Sequence, residues 1–250
     1  MAVALLDSAG RRVVAAFVVL ALVGGAAPAG AQLDELLKRF QGISPGTGSL
    51  GEVRIGQALK EALQVGTANA VQLTGRPDGY FGNEAIRILL PERLQSLERG
   101  LRLVGYGAQL DELVLGMNRA AEQAAPAARQ IFWNAIGEMT IDDARRILDG
   151  SETAATDYFK GKTTARLTTA FRPVVEKSMS QVGVTRQYSE LLGRARGIPF
   201  LDVEPYDLDT YVVGKGLDGL FHVVGEEERK IRTNPSARVT DLLREVFGRR

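Results

Sequence analysis

Apolar side chains recur at intervals of three and four residues along most of this 250-residue chain. This spacing places them on one stripe of an α-helix, and such a stripe leaves water only by packing against another element. The stripes are Ile55, Leu59, Ala62, Leu63, Ala70 and Leu73; Leu94, Leu97, Leu101 and Val104; Leu110, Leu113, Val114, Met117, Ala121 and Ala124; Ile131, Phe132, Ala135, Ile136 and Met139; and Val239, Leu242, Leu243, Val246 and Phe247. We therefore predict an all-α fold, a single multi-helix domain.

Capping residues predict where several helices begin and end. Thr140 offers a capping hydroxyl at the start of one helix, and Gly150 ends it. We expect Ser151 to cap the next helix, Gly161 to close it, and Pro173 to kink or break the pattern between residues 167 and 182. Asn234–Pro235 is a typical start for the last helix.

Two stretches favour extended backbone. Residues 85–90 follow the turn signal Pro77-Asp78-Gly79, and residues 198–207 contain two prolines. The two could pair, which leaves room in the fold for one short β-hairpin.

The first 31 residues are typical of an export signal. Arg11 and Arg12 precede the apolar run 13–23, and Ala29-Gly30-Ala31 supplies small side chains for cleavage between Ala31 and Gln32. The run is shorter than the roughly 20 residues that span a bilayer, so we favour a cleaved signal over an uncleaved anchor. Because the chain has no cysteine, we expect a bacterial periplasmic protein without disulfides.

The predicted organisation is a signal peptide (1–31), a short amphipathic segment and linker (32–49) and one helical domain (50–248). Removing the leader takes two of 31 basic and one of 30 acidic side chains, which leaves 29 of each. This balance argues against nucleic acid, because phosphate binding normally needs a basic excess. No later segment is apolar enough for stable membrane insertion.

Two motifs lie in the segment after residue 207. Gly214-Lys-Gly216-Leu-Asp-Gly219 has the GxGxxG spacing of a dinucleotide loop, but the apolar pattern around it predicts one continuous helix with glycines for close packing. His222 and Glu226, four residues apart, share a helix face and could relay a proton or supply half a metal site, but such a pair on one helix is usually a surface hydrogen bond.

Acidic and aromatic clusters give weaker signals. Glu226-Glu227-Glu228 precedes the basic residues 229, 230 and 232, which predicts a solvated helix face with ion pairs along it. Carboxylates at 202, 204, 207 and 209 could bind a hard cation, but their spacing fits no known loop, and Asp207 also fits a helix N-cap. Tyr80 and Phe81, with Asn83, could contact a partner; we favour a role in closing one end of the core.

Several segments together resemble the bacterial domain-of-unknown-function family 4197. They are GYFGNEAIRILLPERL (79–94), MNRAAEQAAP (117–126), AIGEMTIDDARRIL (135–148), TAATDYFKGKTTARL (153–167) and LDGLFHVVGEEERKIRTNPSARVTDLLREVFG (217–248). The resemblance implies a signal sequence followed by one largely helical domain, and it brings no established activity or catalytic residue. His222 stands where the family is expected to have an apolar residue, which argues against an essential role for it.

The sequence therefore favours an exported, non-catalytic binding or interaction module whose partner is a protein or an apolar small ligand. It assigns no catalytic residue, cofactor or metal ligand. A carboxylate-dependent cell-envelope hydrolase and a structural or assembly protein of the envelope remain as alternatives.

Overall fold

The computed structural model describes residues 47–196 and 205–234. Several predicted features lie outside the described residues: the leader with its Ala31–Gln32 cleavage site, the segment 32–46, residues 198–204 of the stretch predicted to be extended, and the last predicted helix.

The described residues are mostly α-helical and contain no strand. The α-helices are α1 (Thr47–Gly75), α2 (Gln95–Leu103), α3 (Gly107–Ala124), α4 (Ala128–Gly137), α5 (Ile141–Asp149), α6 (Ala154–Gln181), α7 (Val184–Ala195) and α8 (Leu208–Thr233). Short 3₁₀ turns, Glu92–Leu94 and Ala125–Ala127, precede α2 and α4. The all-α prediction is confirmed, although α1 begins inside the expected linker and α7 lies where no helix was predicted.

None of the helices in the described residues is long and apolar enough to cross a membrane.

Four helices build the centre of the domain. Helix α8 packs on both α6 and α1, and α3 packs on α6. The aromatic rings of Phe132, Phe159 and Phe221 meet edge to face there, with ring centroids 5.2 Å apart for Phe132–Phe159 and 6.2 Å for Phe132–Phe221. Buried aromatic side chains of this size supply a large share of the apolar area that stabilises a helical core.

Most of the predicted stripes are buried, and the exceptions lie near helix ends. Leu94, Leu97 and Leu101 are buried as expected, but Val104 is 55% exposed, since it follows the last residue of α2 and leaves the stripe. Ile55, in the first turns of α1, is also exposed.

Helix boundaries follow local capping in α5 and depart from it in α6. The predicted cap at Thr140 is confirmed, and Asp143 completes a capping box with it; α5 ends before Gly150, as predicted. Helix α6 continues through both Gly161 and Pro173, so the predicted end at Gly161 is wrong and, of the kink or break predicted at Pro173, the break does not occur. The buried Leu167 and Phe171 between these two residues, with Val175 after the proline, pack into the core, and this packing outweighs the helix-breaking tendency of either residue.

The first strand of the predicted β-hairpin, residues 85–90, does not form. Residues 85–90 lie outside every helix, but they form no strand, because no second strand lies beside them among the described residues. Most of the second half of the hairpin lies outside the described residues.

Candidate functional site

A non-helical segment between α1 and α2, residues 76–91, crosses the surface of the domain; we call it the strap. It begins with the predicted turn, in which the Gly79 N–H donates to the Arg76 carbonyl at 2.9 Å. Asp78 adopts the left-handed conformation, with φ of 62°. Position 79 requires glycine, since a Cβ there would lie 2.4 Å from the Leu73 carbonyl oxygen.

The buried carboxylate of Glu122 on α3 holds the turn. Its Oε1 accepts the backbone N–H groups of Tyr80 at 3.1 Å and Phe81 at 3.2 Å. Its Oε2 pairs with Arg119 at 2.6 Å, and Arg119 also binds Asp78 at 2.7 Å. The charge is therefore buried with donors on both oxygens, which is the condition for burying a carboxylate without a large penalty.

One turn earlier on α3, the buried side chain of Asn118 holds the extended part of the strap. Its Oδ1 accepts the Ile88 N–H and its Nδ2 donates to the Ile88 carbonyl, both at 2.8 Å. A single amide thus replaces the neighbouring strand that Ile88 would otherwise need. Of the predicted extended stretch, residues 85 and 86 belong to a turn, and Asn118 explains how the part around Ile88 is held without a sheet.

Tyr80 fills the space beneath the strap and is fully buried. Its hydroxyl donates to the Gly216 carbonyl at 2.6 Å, and its ring lies against Gly219, where a Cβ would come within 2.7 Å of it. The interpretation that this residue closes the core is confirmed for Tyr80. Phe81 is only half-buried, and Asn83 accepts the Ala85 N–H within the strap.

The outer residues of the strap alternate with the inner ones. Ile86, Ile88 and Leu90 are buried, whereas Arg87 is exposed and the Leu89 side chain is 59% exposed. The Arg87 guanidinium lies 5.0 Å from the centre of the Phe81 ring, and its Nε donates to the Phe81 carbonyl at 2.6 Å. Neither Arg87 nor Leu89 was predicted from the sequence to have a functional role.

Arg87 and Leu89 form the outer crest of the strap, and a groove lies on each side of this crest. The α3-side groove, about 320 Å³, runs between the strap, α2 and α3. The α8-side groove, about 370 Å³, runs between the strap and α8 and includes Tyr211, Lys215 and His222. Arg87 and Leu89 line both grooves.

His222 and Glu226 share one face of α8 as predicted, with Nε2 and Oε1 3.5 Å apart, and both are exposed by about 40%. His222 faces the α8-side groove. The glycines of the GxGxxG motif lie inside α8, as the continuous-helix interpretation predicts. Their backbone therefore belongs to a helix and not to a phosphate-binding loop.

The prediction of a solvated face for the three consecutive glutamates is wrong for two of them. Glu227 and Glu228 are each 7% exposed. Glu227 accepts from Asn69 on α1, and Glu228 caps α6 by accepting the N–H groups of Ala155 and Thr156. Glu228 therefore takes the capping role that the sequence assigned to Ser151. The predicted ion pairs along the helix do form, at Glu227–Lys230 and Glu228–Arg232.

Of the acidic cluster, residues 202 and 204 lie outside the described residues. Asp207 is the N-cap of α8, where hydrogen bonds from the Thr210 hydroxyl and backbone lower its pKa. Burial raises the pKa of Asp209. Within 47–196 and 205–234, no three metal-ligating side chains come together.

The anchors of the strap were missed because their partners are distant in sequence. The signal available was a pair of polar residues, Asn118 and Glu122, at helical spacing beside the apolar stripe of α3. Polar side chains at the edge of a buried stripe need partners, and here the strap supplies them.

Fold and site together define a helical-bundle module that fastens an extended surface strap with buried polar side chains. The chain belongs to the family described as "Protein of unknown function (DUF4197)", whose model matches residues 49–248. No curated protein and no solved structure matches the chain.

Proposed function

We propose that this chain is an exported, periplasmic interaction module without catalytic activity, which binds a partner protein through the outer face of the strap. The observation that carries the proposal is the crest at Leu89. This apolar side chain is 59% exposed between two grooves, although the strap beneath it is anchored by the buried Asn118 and Glu122. A rigidly held, exposed apolar residue beside grooves is typical of a protein contact surface.

The charged core groups favour binding over hydrolysis. Glu122, Glu227 and Glu228 are the most buried glutamates of the described residues, and all three accept hydrogen bonds from N–H groups of the fold. Asp143 accepts the Thr140 N–H in the same way. A carboxylate-dependent hydrolase needs two carboxyl groups that face a bound substrate, and these four are directed into the structure. Of the carboxylates that line the two grooves, Glu98 and Asp111 both pair with Arg102, and Asp218 lies 3.9 Å from Lys215.

The shape of the grooves favours a protein over an apolar small ligand. Both are open to solvent and mix apolar with charged side chains, among them Arg102 and Asp111 on one side and Lys215 and Asp218 on the other. Small-molecule sites usually enclose most of their ligand and are mainly apolar.

Export is proposed from the leader pattern, and it has its own experiment. Mass spectrometry of the amino-terminal peptide of the protein purified from host periplasm should give a chain that begins at Gln32. A full-length chain, or recovery only from the cytoplasm, contradicts the export part of the proposal.

The binding surface is tested with two matched substitutions. Leu89→Glu places a charge on the crest, whereas Leu103→Glu places one at the end of α2, where the side chain is 88% exposed and lines neither groove. Native mass spectrometry of host-purified protein should show a partner protein with the unaltered chain and with Leu103→Glu, but not with Leu89→Glu. Equal capture by both variants, or a bare chain mass in every case, contradicts the proposal.

A further inference from the structure

The strap uses only one of its two backbone edges to attach itself to the domain. In an extended chain, the N–H and C=O groups of one residue face one edge, and those of the next residue face the opposite edge. Both groups of Ile88 bind Asn118, so the edge toward α3 is occupied. The groups of Arg87 and Leu89 belong to the other edge, beside α8.

That second edge is only partly used. The Leu89 carbonyl accepts the Tyr211 hydroxyl of α8 at 3.0 Å, and burial raises the pKa of Tyr211, which keeps this hydroxyl a donor. The Arg87 N–H donates to the Asn83 carbonyl within the strap. Across the described ranges, no group pairs with the Leu89 N–H or with the Arg87 carbonyl.

A single residue of an added parallel strand would use both of these groups. Its carbonyl would accept the Leu89 N–H, and its own N–H would donate to the Arg87 carbonyl. Strand addition to an open edge obtains its affinity from such backbone pairs and its specificity from the alternating side chains. Here the outward side chains are Arg87 and Leu89.

The charge of the α8-side groove indicates the kind of peptide. Arg87 lines both grooves, and stacking on Phe81 of the α3-side groove, with the Nε hydrogen bond, holds its guanidinium between them. In the part of the chain that the structure describes, no carboxylate lies within 4.0 Å of its nitrogens. Lys215 lines the α8-side groove, and its Nζ lies 3.9 Å from the Asp218 carboxylate. A fixed guanidinium with open terminal nitrogens binds a carboxylate in bidentate geometry.

We propose that the α8-side groove binds an extended, acidic segment of a partner protein, which adds as a strand to the Arg87–Leu89 edge and places a carboxylate on Arg87. The inference rests on the proposed function and specifies the partner's chemistry: an extended peptide with an Asp or Glu beside an apolar residue that contacts Leu89.

The probe is a phage-displayed library of random seven-residue peptides, selected on the protein purified from its host. We expect the selected peptides to share an acidic residue next to an apolar one. Arg87→Gln should weaken their binding by about tenfold or more, as expected for the loss of a charge-assisted pair. Arg99→Gln, an exposed arginine on α2 that lines neither groove, should leave the affinity unchanged.

Hydrogen exchange reads the backbone pairing directly. On peptide binding, exchange of the Leu89 amide should slow at least tenfold, whereas the Ile88 amide, already bonded to Asn118, should change little. Failure of the library to yield acidic peptides, equal effects of the two arginine substitutions, or an unchanged Leu89 amide would overturn the inference.

The two proposals fail differently. If a partner protein is lost with Leu89→Glu but no acidic peptide binds, the strap remains an interaction surface and strand addition is wrong. If Leu89→Glu leaves the capture of the partner protein unchanged, the proposed function itself is wrong.

Discussion

Removing the carboxylate of Glu228 should destabilise the domain far more than removing that of Glu226, two residues away. Glu228 accepts from Ala155 N at 3.0 Å, from Thr156 N at 2.9 Å and from the Thr156 hydroxyl at 2.8 Å. It also pairs with Arg232 at 2.9 Å, and the two side chains are only 6% and 11% exposed.

The magnitude follows from what the substitution leaves behind. Glu228→Ala leaves two backbone N–H groups at the start of α6 without an acceptor, at about 1–3 kcal/mol for each buried group that no water reaches. It also removes the ion pair with Arg232, whose guanidinium keeps its hydrogen bonds to the Ile147 and Leu148 carbonyls. Breaking a buried pair typically costs about 3–5 kcal/mol in all. We therefore expect Glu228→Ala to lower the free energy of unfolding by about 3–5 kcal/mol. Glu228→Gln keeps one acceptor oxygen and should cost about 2 kcal/mol.

The assay is urea unfolding followed by far-ultraviolet circular dichroism, with the free energy of unfolding and its urea dependence fitted together. The control is Glu226→Gln, since that side chain is 39% exposed and should change stability by less than about 0.5 kcal/mol. A Glu228→Ala loss below about 1 kcal/mol, or equal losses at both positions, would refute the capping role of Glu228.

Three further predictions concern the same framework. Gly219→Ala should lower the free energy of unfolding by about 1–3 kcal/mol, because its Cβ would lie 2.7 Å from a buried tyrosine ring. Gly214→Ala, whose Cβ would have nothing within 4 Å, should instead stabilise α8 by up to about 1 kcal/mol. Urea unfolding of the two variants checks this pair, and equal effects contradict it. Asn118→Leu should leave both backbone groups of Ile88 without their partner and lower the free energy of unfolding by about 2–4 kcal/mol. Limited proteolysis should then cut within the strap, and a strap that stays protected contradicts the prediction. Hydrogen bonds from the backbone and hydroxyl of Thr140 lower the pKa of Asp143 from 3.8 to about 2. The ionised carboxylate therefore contributes its full stabilisation above about pH 4, and this stabilisation is lost as the pH falls toward 2. Acid unfolding of Asp143→Asn should show less of this loss, and identical pH profiles of the two proteins contradict the prediction.

The helical architecture could be predicted because it depends on local patterns. Spacings of three and four identified the buried faces of α2 and α3, and the Thr140 and Asp207 caps each act within three residues of themselves. The failures at Gly161 and Pro173 come from tertiary packing of α6, which propensity does not include.

The site could not be predicted in the same way, because its contacts join distant parts of the chain. Asn118 reaches Ile88 across 30 residues, and Glu122 reaches Tyr80 across 42. The three consecutive glutamates are chemically identical in sequence. Only the position of the α6 amino terminus, 72 residues from Glu228, decides which of them is a cap.

Site-specific photo-cross-linking in living host cells tests the central claim, that the outer face of the strap meets a partner protein. A photoreactive amino acid at position 89 should give one discrete adduct with an envelope protein, and the same amino acid at position 103 should give none. No adduct from position 89, or equal adducts from both positions, would contradict the account.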